Sequence, residues 1–230
     1  MQRLLKYFEK IFQKTKIFQD IELIKINQAG ILKNILNETS LSSDIRDYEF
    51  KIFSQWGEDG IIQHLINHVH IENKTFIEFG VENFSESNCR FLMMNNNWSG
   101  FVIDGNKKNI KELKSSYYFW KYELKAISEF ITKDNINDLL DSSNFEEDLG
   151  ILSIDIDGND YYVLDAINKY KPRILITEFN SNFGFHEAIS VPYDKNFYRF
   201  EKCSSGIYWG ASLKAFIYLA SKKGYKFVGT

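Results

Sequence analysis

Thr75-Phe-Ile-Glu-Phe-Gly-Val-Glu-Asn83 is the stretch whose reading decides the fold. Thr75 to Phe79 is short, apolar and β-prone, so it reads as a buried strand. Glu78 stands near the strand's C-terminal end, where a carboxylate needs a partner. Gly80 follows and can turn the chain sharply, having no Cβ. Ser85 to Asn97 then carries Cys89, Phe91, Leu92 and Met93 at helical spacing. Open α/β sheets bind ligands outside the carboxyl ends of their strands, so a carboxylate and a glycine there point to a nucleotide-like site. An ordinary strand-turn-helix with a surface carboxylate fits this stretch equally well.

Further along the chain the pattern repeats. Trp98-Ser-Gly-Phe-Val-Ile-Asp-Gly105 gives a second strand ending in Asp104, 26 positions after Glu78, a fitting length for one strand-helix-strand unit. An acid ending the second strand binds ribose hydroxyls in dinucleotide folds. The Gly-x-Gly-x-x-Gly loop that cradles a pyrophosphate is absent, which argues against NAD and FAD and leaves a nucleoside without a diphosphate. Lys108 to Ser116 reads as a helix, Tyr122 to Ile127 as a third strand and Asp134 to Leu140 as a short helix. Leu149-Gly-Ile-Leu-Ser-Ile-Asp-Ile-Asp157 is the strongest strand signal; Asp155 and Asp157 end it, and Asn159 or Asp160 can cap a helix from Tyr161 to Tyr170. Arg173-Ile-Leu-Ile-Thr-Glu-Phe-Asn180 is another buried strand ending in acid and amide. Four strands thus end in polar groups on one rim. The fold expected is α/β, a doubly wound, mostly parallel sheet with an N-terminal helical extension.

Toward the N-terminus, Phe53-Ser-Gln-Trp-Gly-Glu-Asp-Gly60 is a polar turn leading into a helix from Ile61 to Val69. His64 and His68 share a face of that helix; without a third ligand nearby they read as ordinary helix residues rather than a zinc site. Residues 1 to about 38 are helical, with Leu4, Leu5, Phe8, Ile11 and Phe12 on one face and Arg3, Lys6, Lys10, Lys14 and Lys16 around it. Such a stripe packs on its own domain or a second subunit, as in a homodimer, more often than on an anionic membrane. Asn37 to Asp47 is a polar linker. The division expected is an extension and linker over 1–47 and a catalytic domain over 48–230.

Composition bounds the rest. The 230 residues suit one domain plus an appendage, and 44% hydrophobic content fills a sizeable core. A net charge of −3 gives no indication of nucleic acid. Cys89 and Cys203 are too far apart in sequence to form a metal-ligand pair and read as thiols in a reducing compartment. No apolar run reaches the roughly 18 residues needed to span a bilayer, and charges interrupt the N-terminal apolar runs, so a cytoplasmic protein is expected.

On three stretches, Phe53 to Gly60, Phe76 through Gly105, and Ser153-Ile-Asp-Ile-Asp-Gly-Asn-Asp160, the chain resembles class I S-adenosylmethionine-dependent methyltransferases of the FkbM-like branch. The likeness runs from about Tyr48 to the C-terminus. It implies that Glu78 and Gly80 line the methionine side of S-adenosylmethionine, that Asp104 binds the ribose, and that Asn106 lies near the adenine. Gln55 and Glu58 would close the site, with Asn83 and Asp155 also in the cofactor set. Two features depart from the pattern. The first loop has one glycine where many members have two or three, and Gly224 to Thr230 stands as a sixth strand with no segment for the usual seventh.

A sulfonium methyl is already activated, so the acceptor needs alignment and loss of its proton, by a general base or a divalent cation. Asp155 or Asp157 with Glu178 and Asn180 would give hard oxygen ligands for Mg²⁺ or Mn²⁺, similar to the Asp, Asp, Asn site of catechol-type O-methyltransferases; the same residues could simply bind cofactor and substrate. Ser181 to Trp209 is the expected acceptor region, long, polar and aromatic (Phe183, Phe185, His186, Tyr193, Tyr198, Tyr208, Trp209). Asp155, Glu178 and His186 are the candidate catalytic residues, His186 because its ordinary pKa lies near neutrality. Lys195, Arg199 and Lys202 are either a solvated surface or contacts to a phosphate. The function expected is O-methylation of a saccharide or nucleotide-sugar, as in capsular or other surface-polysaccharide synthesis. The alternatives are a glycosyltransferase using Asp155-Ile-Asp157 with a metal, and a non-catalytic binding module.

Overall fold

The structure, a computed structural model, describes residues 2–39 and 44–230, with the side chains of the first helix described over 16–36. Helix α1 spans Gln2–Thr39 and α2 Glu58–His68, followed by strand β1, Thr75–Phe79. Then come α3 (Arg90–Asn96), β2 (Ser99–Asp104), α4 (Lys107–Lys114), α5 (Tyr117–Lys121) and β3 (Leu124–Ser128). The second half runs α6 (Ile136–Asp141), β4 (Ile151–Ile154), α7 (Asp160–Ala166), β5 (Ile174–Thr177), α8 (Arg199–Lys202) and α9 (Leu213–Lys222). The five strands form one parallel sheet in the order β3-β2-β1-β4-β5.

The sheet is doubly wound because its strands are apolar on both faces, as parallel strands covered by helices must be. Phe76, Val102, Ala126 and Ile151 meet α1 through α5 on one face. Ile77, Phe79, Phe101, Ile103, Leu152 and Ile154 meet α6, α7 and α9 on the other. Burying the Val, Leu, Ile and Phe side chains among these contributes about 1.5–3 kcal/mol each. Strand order reverses between β1 and β4, and such a reversal opens a crevice at the carboxyl ends of the two strands.

Three expected elements differ. The helix expected from Ser85 begins only at Arg90, because the preceding segment wraps the buried Glu78 side chain, with Glu82 and Phe84 at positive φ. Residues 224–230 form no strand: Gly224 and Gly229 have positive φ, and Phe227 and Val228 are exposed, which no covered strand tolerates. Asn159 precedes α7 without a side-chain cap hydrogen bond, its amide being turned to Asp194.

Helix α1 lies on the body through Glu22, Ile26, Ala29, Leu32 and Leu36. Arg90, buried, pairs with Glu22 at 2.6 Å and sits between the Phe53 and Tyr118 rings, 4.1 Å from each centroid. The Tyr117 hydroxyl donates to the same Glu22 carboxylate. The side chains of the apolar stripe Leu4 to Phe12 and of Arg3, Lys6, Lys10 and Lys14 lie outside the described ones, Lys16 is exposed, and positions 40–43 of the expected linker lie outside the described residues. The linker's end is ordered: Ile45–Tyr48 is a 3-10 turn whose Asp44 caps the Arg46 N–H at 3.0 Å. No helix of the described residues is long and apolar enough to cross a membrane.

Candidate active site

Gly80 marks the crevice. Its φ is +71°, and a Cβ there would lie 1.5 Å from the Asp155 carbonyl oxygen. Only glycine lets the end of β1 approach the end of β4 this closely. In rim order the acid-bearing ends are Asp104 as the last residue of β2, Glu78 within β1, Asp155 and Asp157 after β4, and Glu178 after β5.

Glu78 is buried and fully occupied. It accepts from Ser87 Oγ at 2.5 Å and from the Asn88 and Cys89 N–H groups at 2.8 and 3.2 Å. Burial pushes its carboxyl up to about 7, against those hydrogen bonds. Asp104 clamps two loops: Oδ2 accepts from the Glu82 N–H at 2.8 Å, and Oδ1 from the Asn106 N–H at 2.7 Å and Asn109 Nδ2 at 3.4 Å. A carboxylate offers about four lone-pair sites, so capacity for one hydroxyl donor remains.

The other residues expected around the cofactor serve their own loops. Asn106 caps α4 by accepting from the Lys108 N–H at 2.9 Å. Asn83 accepts from the Ser85 N–H at 3.1 Å and reaches Glu112 at 3.4 Å. Glu58 accepts from the Trp56 and Gly57 N–H groups, both at 2.9 Å, and Gln55 is exposed, its carbonyl held by Lys51 Nζ at 2.5 Å.

Beyond β4 and β5 the acids converge. Oxygens of Asp155, Asp157 and Glu178 lie within 4.8 Å of one another. Burial raises Asp155 to about 6. Burial and the neighbouring Asp155 charge push Glu178 well above the usual carboxylate range. Two like charges this close disfavour each other's ionised form, so Glu178 keeps its proton to higher pH than Asp155 does. Glu178 Oε2 is buried without a protein donor. Asp157, at φ +58°, is ion-paired to Arg199, which also donates to the Gly206 carbonyl at 3.0 Å.

Two expected members of this cluster are placed otherwise. Asn180 is buried with its amide saturated: Nδ2 donates to the Ile207 and Trp209 carbonyls, both at 2.9 Å, and Oδ1 accepts from the Asn182 N–H and Nδ2 at 3.0 and 2.9 Å. It anchors the acceptor segment, and the oxygen set narrows to three acids. His186 is exposed and outside the acid group; Lys214 Nζ donates to its carbonyl at 2.5 Å. On α2, His64 stacks on Tyr48 at 3.6 Å and lies 4.2 Å from the His68 ring.

Two buried acids of the site region were not anticipated as loop clamps. Asp59 Oδ2 accepts from the Ile52, Phe53 and Ser54 N–H groups at 2.7, 2.7 and 2.8 Å and from Ser54 Oγ at 2.9 Å. Asp160 accepts from the Ile156 and Gly158 N–H groups at 2.8 and 2.9 Å, fixing the turn that carries Asp155 and Asp157; burial raises it to about 7. Their signal in the sequence was an acid beside a glycine at a helix start, in Gly57-Glu-Asp-Gly60 and Gly158-Asn-Asp160.

The acceptor segment supplies one wall. Asn159 Nδ2 donates to the Asp194 carbonyl at 2.8 Å, and Phe197 packs on Gly158, where a Cβ would fall 2.3 Å from its ring. Just beyond lies a cavity of about 410 Å³, lined by Tyr193, Asp194, Lys195, Phe197, Lys202 and Tyr208 among others. Lys202 is paired with Asp194 at 2.6 Å.

No protein-family profile matches the chain, and neither does any curated protein. Among solved structures, it is similar to an S-adenosylmethionine-dependent methyltransferase from Clostridium acetobutylicum ATCC 824, at 11% identity and a TM-score of 0.39, over 73% of this chain. The chain spans 64% of that protein's length. It is also similar to a provisional caffeoyl-CoA O-methyltransferase from Staphylococcus aureus, at 15% identity and a TM-score of 0.45, over 93% of this chain and 91% of the other.

Proposed function

We infer that the protein is an S-adenosylmethionine-dependent O-methyltransferase of the FkbM-like branch, acting on a hydroxyl of a saccharide or nucleotide-sugar. The observation that carries this is the convergence of Asp155, Asp157 and Glu178 within 4.8 Å beside the strand-order reversal, with Asp104 clamped to the Glu82 N–H on the same rim. When bound, S-adenosylmethionine supplies an electrophilic methyl carbon. Asp104 retains capacity for a ribose hydroxyl, and no glycine-rich diphosphate cradle competes for that rim. Asp155, the more acidic of the Asp155–Glu178 pair, would be the base, taking the acceptor hydroxyl's proton as that oxygen displaced the sulfur of S-adenosylhomocysteine from the methyl carbon. Glu178 keeps its proton, and Arg199 neutralises Asp157. The aromatic and hydroxyl lining of the neighbouring cavity suits a sugar ring.

A divalent cation is the second reading, favoured by the three converging acids and the partnerless Glu178 Oε2. Asp155, Asp157 and Glu178 would hold it, and it would lower the pKa of the acceptor hydroxyl. Calorimetry separates the classes: S-adenosylmethionine should bind, and a nucleotide-sugar alone, with Mn²⁺ present, should not. The reverse result would make the protein a glycosyltransferase, and S-adenosylmethionine binding without methyl turnover a binding module. Asp155→Asn should cut turnover by about 10²-fold or more while S-adenosylmethionine affinity stays within a few-fold. Turnover should also fall as pH drops through about 6, where Asp155 takes up a proton. Chelator should leave the rate intact if the base reading holds and abolish it if the cation reading does.

A further inference from the structure

Loop 82–89, between β1 and α3, joins the two rim acids Asp104 and Glu78. Its Glu82 N–H donates to Asp104 at 2.8 Å, and Ser87, Asn88 and Cys89 close on Glu78. Glu82 and Phe84 both hold positive φ, so the loop keeps this path only because its surroundings impose it. Three ties from outside do so. The Phe53 carbonyl accepts from the Ser87 N–H at 3.0 Å, the Tyr118 hydroxyl donates to the Asn83 carbonyl at 3.3 Å, and Arg90 Nη1 donates to the Ser85 carbonyl at 3.1 Å. All three meet at one guanidinium, because Arg90 lies between the Phe53 and Tyr118 rings. The Arg90 N–H also donates to Ser87 Oγ at 3.0 Å, the hydroxyl that itself donates to Glu78. Glu22 of α1 is the carboxylate that holds Arg90, and Lys25, three residues on, donates to the Ile52 carbonyl beside Phe53 at 3.3 Å. We propose that Glu22 is a positioning residue: through Arg90 it holds loop 82–89 in the shape that presents Asp104 and Glu78, so that affinity for S-adenosylmethionine, the donor on the reading above, depends on the seating of α1.

A buried guanidinium needs a carboxylate as well as its rings, and Glu22 supplies it from a helix the sheet does not contain. The Tyr117 hydroxyl donates to the same carboxylate and fixes it from a second side. Without Glu22, Arg90 is a buried charge with no counter-charge, and its side chain turns toward water. It then gives up the Ser85 carbonyl and its place between the two rings. The start of α3 shifts with it, and Ser87 Oγ with the start of α3. Three donors on the one Glu78 carboxylate tolerate little displacement, since a hydrogen bond is lost once its length grows by about half an ångström. The remainder of α1 lies off this path. Leu32, ten residues on from Glu22 and so about 15 Å along the helix axis, packs on the core cluster instead.

The test uses the full chain and two separate readouts, calorimetric affinity for S-adenosylmethionine and amide hydrogen exchange of the unliganded protein. Glu22→Ala should weaken S-adenosylmethionine at least about 10-fold and speed exchange of the Ser87, Asn88 and Cys89 N–H groups by about as much. Glu22→Gln keeps an acceptor for Arg90 and Tyr117 and should bring both readouts back to within about three-fold of wild type. Glu22→Asp keeps the charge but falls a methylene short of Arg90, so it should behave like the alanine variant, and it replaces that variant should alanine not fold. Leu32→Ala loosens the packing of α1 without touching Arg90, so it should lower the denaturation midpoint and leave both readouts at wild type. Wild-type loop exchange or wild-type affinity in Glu22→Ala would overturn the proposal. So would a Leu32→Ala variant that loses loop protection and affinity as Glu22→Ala does. A wild type that does not bind S-adenosylmethionine would overturn the methyltransferase reading instead, and loop exchange in the same four variants would then decide the role of Glu22 by itself.

Discussion

Single residues here act mainly by what they forbid or fix. Gly80 is the clearest case. At φ +71° any side chain is strained, and a Cβ would sit 1.5 Å from a backbone oxygen, which cannot swing aside as a flexible side chain would. Gly80→Ala should therefore force β1 and β4 apart at the crevice. We expect a loss of about 3 kcal/mol or more, read as a lowered denaturation midpoint, together with loss of S-adenosylmethionine binding. A variant as stable as wild type would show that the close approach is unnecessary. The buried acids act in the opposite sense, each pulling backbone N–H groups onto one carboxylate. Asp59 gathers three consecutive ones, a use of charge that holds a turn as firmly as a bound anion would.

At the scale of elements, α1 is tied to the core by charge as well as by apolar packing. Arg90 is buried between two rings with Glu22 as its carboxylate partner. Removing one member of a buried pair leaves an uncompensated charge, so Glu22→Ala should cost about 3 kcal/mol, and Glu22→Gln less because it keeps an acceptor for Arg90 and Tyr117. Equal denaturation midpoints for Glu22→Ala and wild type would show the pair to be idle. None of this was legible in the sequence, where Glu22 and Arg90 stand 68 positions apart. Strands β1, β2, β4 and β5 and their acidic ends were legible, because covered parallel strands read as unbroken apolar runs with polar stops. Their side-chain partners were not. Asn180, Asn106 and Glu58 each satisfy backbone groups of a nearby loop, and the path of a loop is not encoded in residue spacing. The expected strand at 224–230 failed for a related reason: an aromatic and β-branched run is strand-like locally, but it finds no neighbour among the described strands.

For the whole molecule, buried acids concentrated at one rim set how stability responds to pH. Glu78 and Asp160 are both raised to about 7 by burial, and Glu178 is raised further. Each binds a proton more tightly folded than unfolded. Their stabilising contribution is therefore complete below the ordinary carboxylate range and is lost as pH rises through the folded-state values. The exposed ion-paired acids Asp141 and Asp148 run the other way, with carboxyls held low by Lys169 and Arg173, and lose their small contribution only on strong acidification. The buried set should dominate between pH 5 and 8, giving a protein whose melting temperature falls over that interval. Glu78→Gln isolates one member, since glutamine keeps an acceptor for the Asn88 N–H and an amide that Ser87 Oγ can accept. The stability gap between wild type and Glu78→Gln should shift by up to about 3 kcal/mol in the variant's favour from pH 5 to pH 8. Parallel stability curves for the two proteins over that range, measured by denaturant titration at each pH, would mean that Glu78 folds already ionised. The hydrogen bonds from Ser87, Asn88 and Cys89 would then outweigh its burial.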